Sequence, residues 1–419
     1  MVEESMPSVQ ELKGVMYLDP SWFDIINIPD EKNKGLPIKS WISFKPFCQK
    51  GHHGFMSHLG KKYPPESTNT DEFQVQSYGP HHLTVTFNNT NEMRFVGTKD
   101  VFASIHHSNV THMDISKGGI GVSLGKEGKK SVFRIWECST GIIRRELDGH
   151  CGYGYSVRLF PSGIVIITSG GDMVLNIWSA ETGKSHRTLK GHTAGVNDTA
   201  IVGIGKNVVS VSNDSTIRLW NCGSGLCLDV ISKIDDVPII CEINDYIFNC
   251  NSHNLKERKE GEHDTENKLL VVGCEKGLIV GVNIFDRAVV FQNKIDSGIK
   301  DIKFNGENGI LVGCENGSLH KYSLNSLNGE MSLQLERVWL DSESSIESLL
   351  VVSDGVFVGR RDGSCIWYSE NHDVGIKRIS LVGADADPIY SLAKDDQYIY
   401  TGARDGKIRK YLLSHIFKS

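Results

Sequence analysis

The sequence predicts an all-β fold, a ring of seven four-stranded blades preceded by a small N-terminal domain. The first observation is an internal repeat. Gly149-His150 to Ile177-Trp178 aligns without gaps on Gly191-His192 to Leu219-Trp220, with 28 residues from His to Trp in each and 42 between the two His. The second is a turn signature that persists after these marks fade: GCEKG at 273–277, GCENG at 313–317, GRRDG at 359–363 and GARDG at 402–406, at steps of 40, 46 and 43 residues. The third is strand chemistry. An apolar run precedes every signature and an alternating run such as SLHKYSL or KIRKYLL follows. Val, Ile, Thr and Tyr on a two-residue period exclude helical repeats of similar length. An acid followed by Gly between two strands is a tight-hairpin signal.

Residues 1–94 do not fit the repeat. They carry Trp22, Trp41, Phe44 and Phe47, a Gly/His/Lys-rich stretch from Lys50 to Lys62, and the strand-like runs FQVQSY and HLTVTF. They predict a small N-terminal domain with a mobile stretch near 50–72, and the propeller is expected to occupy 95–419. Its first copy runs from His106 to Ile135-Trp136 and is two residues longer, through an insertion around Lys126 to Lys130. His106, His150, His192 and the four later signatures give seven units, and just over 310 residues from His106 to the end accommodate them. The last unit ends at Tyr411-Leu412-Leu413 with a short tail and lacks an outer strand. Residues 95–105 are expected to supply it as a closing strand, which removes an exposed edge. Residues 251–268 are charged without an apolar side, which predicts a solvated loop in blade four.

His192, Ser210, Asp214 and Trp220 stand at the spacings of the structural tetrad of WD repeats, in which a turn Asp, a His, a strand Ser and a Trp are linked by hydrogen bonds. His150, Thr168, Asp172 and Trp178 form a second set. His106, Ser123 and Trp136 form a third, with Glu127 or nothing in the Asp role. A period of 40–45 residues with four short strands per unit marks a WD-repeat β-propeller. The alternative reading of these groups is a catalytic triad. Their repetition decides against it, since an enzyme needs one nucleophile and not one per blade.

Other chemistries find little support. A net charge of −6 offers no basic excess for phosphates, so no nucleic-acid partner is expected. The ten Cys form no CxxC pair and read as reduced thiols of a cytoplasmic and nuclear protein. The acidic, polar start is not a signal peptide, and no apolar run nears the ~18 residues of a membrane span, so no membrane partner is expected. GGIGVSLGKEGKK at 118–130 looks like a phosphate loop, but Gly125-Lys126 would need Gly at 120 and Ser or Thr at 127, where Ile120 and Glu127 stand. His52, His53, His58, His81 and His82 lack carboxylate or Cys partners at ligand spacing, so no metal is expected. No cofactor and no enzymatic activity are expected either, and the chain is expected to be monomeric.

One charge pattern does stand out. The inter-blade loops lie on the same face as the acid-bearing hairpins, and they carry Asp148, Asp235, Asp236, Asp296, Asp341, Glu343, Asp385 and Asp387. Ordinary surface charge is one reading. An acidic face that docks a basic protein surface, with charge steering the encounter, is the other.

The runs FPSGIVIITSGGDMVLNIWSAETG (160–183), KGHTAGVNDTAIVGIGKNVVSVSNDSTIRLWNCGSGLCL (190–228) and GADADPIYSLAKDDQYIYTGARDGKIRKYLL (383–413) resemble the proteasomal ATPase-associated factor family. DTAIV after a Gly-His and GAD-D-P-Y in the last blade carry the likeness beyond general WD-repeat marks. It covers about 106–413. Two departures stand out: no Asp in the blade-one turn, and Gly154 where a Val is usual. The resemblance implies a chaperone for assembly of the proteasome regulatory-particle base, with base ATPase subunits as partners, bound through the C-terminal domain of one of them. A general WD-repeat scaffold or ubiquitin-ligase substrate adaptor is the alternative, but 1–94 shows no F-box-like helix. An enzyme housed in a propeller would need a unique catalytic cluster near the axis, and none is visible.

Overall fold

The computed structural model describes residues 9–10, 15–27, 38–45, 51–58, 66–67, 72–88, 91–245, 258–327, 330–353, 355–369 and 378–417. Seven antiparallel sheets follow one another in chain order from Val110. Their innermost strands are Val110–Ile115, Gly154–Leu159, Val196–Val202, Pro238–Asp245, Ile299–Asn305, Ile346–Val352 and Ile389–Lys394. Each packs on the next, and the seventh packs on the first. Across that closure the Met113 N–H donates to Ser391 Oγ at 3.0 Å. The second strands are sandwiched between neighbouring blades. Asn207–Ser212 is buried along its whole length, its polar Asn207, Ser210 and Ser212 included.

In blades two to seven the hairpins between second and third strands share one backbone shape, whereas in blade one Glu127 pairs directly with Lys130 across a tighter turn. In blade four the Gly277 N–H donates to the Cys274 carbonyl at 3.1 Å, and Gly277 sits at φ 89°. That is a tight turn followed by a left-handed residue, which favours Gly. Gly317, Gly363 and Gly406 repeat it at φ 85°, 83° and 79°. Blades two and three hold Met173 and Ser215 in the same conformation, at φ 66° and 64°.

The ring closes through Asp100–Phe102, which pairs antiparallel with Ile408–Leu412 as the outer strand of blade seven. Phe102 is buried, and its ring lies 5.7 Å from that of Trp136. This strand is shorter than the 95–105 expected from sequence. Asn91–Val96 instead pairs parallel with Arg378–Leu381, the outermost strand of blade six. With Phe73–Gly79 and His82–Phe87 it widens blade six to seven strands. A boundary at residue 94 therefore cuts through a strand.

The preceding residues form a second sheet, Val15–Leu18, Ile38–Lys45, His52–His58 and Glu66–Ser67, with a short helix at Trp22–Ile26. Val15, Trp22, Phe44, Met56 and Phe73 share one hydrophobic core with Leu311, Trp339, Leu349 and Val358 of blades five and six. The N-terminal unit is thus fused to the ring by buried apolar surface. Within the stretch read as mobile, His52–His58 is a strand paired with Ile38–Lys45; Phe47, Lys50 and residues 59–65 and 68–71 lie outside the described residues.

The reading of 251–268 as a solvated loop also needs correction. Residues 251–257 lie outside the described residues, but 258–267 docks on blades three and four. Glu262 is buried against Arg287, 2.7 Å away, and accepts from Thr265 Oγ1 at 2.6 Å. Asn207 and Asn221 donate from Nδ2 to the Gly261 carbonyl at 3.1 and 2.7 Å. Glu262 and Thr265 are buried because their polar groups find partners, while Arg258, Lys259, Glu260, Asp264 and Asn267 stay exposed.

Candidate docking face and the networks that hold it

The face carrying the inter-blade loops is held by the tetrads. In blade three, Trp220 Nε1 donates to Ser210 Oγ at 2.8 Å, and Ser210 Oγ lies 2.7 Å from His192 Nε2. The Asp214 carboxylate can only accept, so His192 presents its N–H from Nδ1, and the Ser210 hydroxyl gives its proton to Nε2 while its oxygen accepts from the indole. That assigns the neutral His with its proton on Nδ1, facing Asp214 Oδ2 at 2.8 Å. Burial lowers the His192 pKa against the raising influence of Asp214. Burial opposes ionisation of Asp214, yet donation from Thr216, the Thr193 N–H and His192 outweighs it and holds the carboxyl far below the usual range. In blade two, His150 Nδ1 lies 2.9 Å from Asp172, its Nε2 lies 2.7 Å from Thr168 Oγ1, and Trp178 Nε1 donates to that oxygen at 2.8 Å. Each Asp also caps the loop behind its His, through the Cys151 and Thr193 N–H groups at 3.0 Å.

Blade one keeps three members. His106 Nε2 is 2.7 Å from Ser123 Oγ, which accepts from Trp136 Nε1 at 3.1 Å. Glu127 does not fill the Asp role. It binds Arg134 at 2.5 Å, and His106 Nδ1 is buried without a hydrogen-bond partner. Burial and the Arg134 charge push the His106 pKa down to about 3.

Blade six replaces the tetrad altogether. Asp341 stands where other blades place the His, and Tyr368 stands where they place the Trp. Tyr368 donates its hydroxyl to Asp341, and Arg360 Nη2 donates to the same carboxylate at 2.8 Å. Arg360 Nη1 also donates to the carbonyls of Gly317 and Ser344 at 2.9 and 3.0 Å. Arg360 and Asp341 are both fully shielded from solvent. Nearby, Tyr17 of the N-terminal unit donates to Asp362 at 2.9 Å, and burial pushes its phenol above the ordinary range.

The eight carboxylates singled out from sequence therefore divide. Asp148, Asp235, Asp296, Glu343 and Asp385 are exposed on the loop face. Asp385 occupies the tip of a turn in which it and Ala386 have φ 42° and 61°. Asp341 is the buried anchor just described. Asp236 is buried and accepts from the Val237 and Lys276 N–H groups at 2.7 and 3.1 Å. Asp387 is half-buried and paired with Arg404 at 2.9 Å. The physical reason is common to these three: a loop that must turn into a buried strand leaves N–H groups and cations needing an acceptor, and the nearest carboxylate supplies it.

A charged cluster on the inner strands was missed. Arg158 Nη2 donates to Asp198 at 2.8 Å, and Lys303 lies 3.3 Å from both Glu242 and Asp301. Asp114, Asp198 and Asp301 each accept an N–H from the next blade, from Leu159, Cys241 and Leu349. Burial would raise the Asp198 pKa, but Arg158 outweighs it and holds the carboxyl low; burial raises those of Asp114 and Asp301. The available signal was an acid recurring within the first strand of three blades: VTHMDI, VNDTAIV and IKDIKFN. Arg158 and Lys303 are shared among Asp198, Glu242 and Asp301 while Asp114 is held by backbone N–H groups, and the cluster joins blades around a central hollow of about 600 Å³.

Comparison with known proteins agrees with this architecture. The family described as WD domain, G-beta repeat matches residues 183–221, the outer strand of blade two and the first three strands of blade three. Human proteasomal ATPase-associated factor 1 is 36% identical over 386 residues, covering 90% of this chain and 95% of its own length. The bovine protein of the same name is 37% identical over the same span. A probable proteasomal ATPase-associated factor 1 of Dictyostelium discoideum is 35% identical over 400 residues, 88% of this chain and 91% of its own. With a third or more of its residues shared along about nine-tenths of its length, this chain belongs to the proteasomal ATPase-associated factor 1 family.

Proposed function

We propose that this chain is an assembly chaperone for the proteasome regulatory-particle base, and that it binds the C-terminal domain of a base ATPase subunit through its loop face. The observation that carries the reading is the end-to-end identity to proteins named for a proteasomal ATPase. The fold supports it. Rigid blades present their inter-blade loops together on one face, and Asp148, Asp235, Asp296 and Asp385 are exposed there. Unburied carboxylates steer a basic surface towards the loops at low ionic strength. Affinity purification of the tagged protein followed by mass spectrometry tests the reading. Base ATPase subunits are expected as the dominant partners, and their absence ends it.

A further inference from the structure

The loop face is not uniform. Blade one's hairpin carries Lys126, Lys129 and Lys130, all exposed, while its one acid, Glu127, is taken by Arg134. Lys126 Nζ reaches over the ring of Tyr153 at 4.8 Å, so the basic hairpin is continuous with blade two. There Tyr153, Tyr155 and Met173 are 46%, 39% and 43% exposed and lie together in blade two. The two elements interlock, since the Gly171 N–H donates to the Tyr153 carbonyl at 2.7 Å. Tyr155 packs so close to Gly171 and Gly195 that a Cβ there would stand 3.1 Å from its hydroxyl and 2.9 Å from its ring. Met173 is held at φ 66°, a conformation costly for a side-chain-bearing residue, and this places its thioether outward at the hairpin tip. Beside Tyr155 opens the central hollow. Rigid aromatic rings and a flexible thioether with water-excluding neighbours are the make-up of an interface hot spot.

We propose that Lys126, Lys129, Lys130, Tyr153, Tyr155 and Met173 form a docking site for an acidic segment of a protein partner that carries a large apolar side chain. The apolar group seats on the two rings and Met173, and its flanking carboxylates meet the three lysines. A basic segment fits poorly here. The cation place over Tyr153 is already filled from within by Lys126, and two further lysines would repel it. This site rests on the proposed function only in sharing its face; it lies apart from the carboxylates of blades four to seven, and Asp148, in the loop that leads to Tyr153, is the exposed acid of that face beside it.

The test uses the full chain and two probes. The first is a fluorescein-labelled peptide of sequence Glu-Glu-Leu-Phe-Glu-Glu, titrated beside its Lys-Lys-Leu-Phe-Lys-Lys counterpart by fluorescence anisotropy. The wild-type chain should bind the acidic peptide at least tenfold more tightly than the basic one. Tyr153→Ser/Tyr155→Ser and Lys129→Glu/Lys130→Glu should each remove that binding while leaving the melting temperature unchanged. Equal binding of the two peptides, or binding indifferent to both variants, overturns the site. The second probe is the set of purified base ATPase C-terminal domains. Loss of a bound domain with these variants supports the site. Loss only with Asp235→Lys/Asp385→Lys overturns it and leaves the proposed function standing. If no domain binds the wild type, the proposed function fails, and the peptide titration still decides the site.

Discussion

Side chains that look like catalytic machinery spend their chemistry on holding loops. His192 and Asp214 are 0% and 6% exposed, and every proton in their chain from Trp220 has an acceptor. Asp214→Ala leaves the Thr193 N–H and His192 without their acceptor, which should cost about 1–3 kcal/mol in urea unfolding. Blade one gives the internal comparison, because His106 already lacks its acid. His106→Phe should therefore cost less than His192→Phe in the same assay. In blade six, Arg360→Met strands the buried Asp341 carboxylate and should cost about 3–5 kcal/mol. A loss within experimental error in the urea midpoint would mean that Asp341 is solvated. The His, Ser or Thr, Asp and Trp of blades two and three were legible in sequence because their spacing repeats. The Asp341–Arg360–Tyr368 substitute was not, since its partners come together only when the strands pair, and Asp341 read as a surface acid.

At the scale of elements, closure depends on three residues near position 100. Phe102 packs on the blade-one Trp136, while Asp100–Phe102 supplies the fourth strand of blade seven. Phe102→Ala should destabilise the ring by roughly 3 kcal/mol. Amide exchange should rise first in Ile408–Leu412, the strand it covers; uniform protection there would refute the role. The need for a closing strand was plain in a chain whose last unit stops at Leu413. Its limits were not, because Asn91–Val96 is equally strand-like and its parallel pairing with Arg378–Leu381 spans nearly three hundred residues. Gly154, a departure from the repeat, has a local cause. A Cβ there would stand 2.4 Å from Phe133 Cζ, so the residue yields to blade one's large ring.

For the whole molecule, burial of neutral histidines sets a pH dependence. Burial holds His112 and His320 down at about 4, and His106 at about 3. In the unfolded chain they titrate near 6.5, so between roughly 6.5 and 4 the unfolded state binds more protons and stability falls as pH falls. Above that window they contribute no slope. The urea midpoint should drop between pH 7 and pH 5, and His320→Gln should flatten the change; a midpoint constant across that range would contradict it. The ring itself was the most legible feature, because a period is visible in any sequence that repeats it. The fusion of the N-terminal unit to blades five and six was hidden, since Val15 or Phe44 names no partner until the core forms.

The most direct test of the account is cross-linking mass spectrometry of the chain mixed with the base ATPase subunits, using an amine-reactive reagent. The account predicts links from an ATPase C-terminal domain to lysines of the loop face, such as Lys126, Lys129 and Lys276. Links confined to Lys117, Lys184 and Lys206 on the opposite face, or to no ATPase subunit, would contradict it.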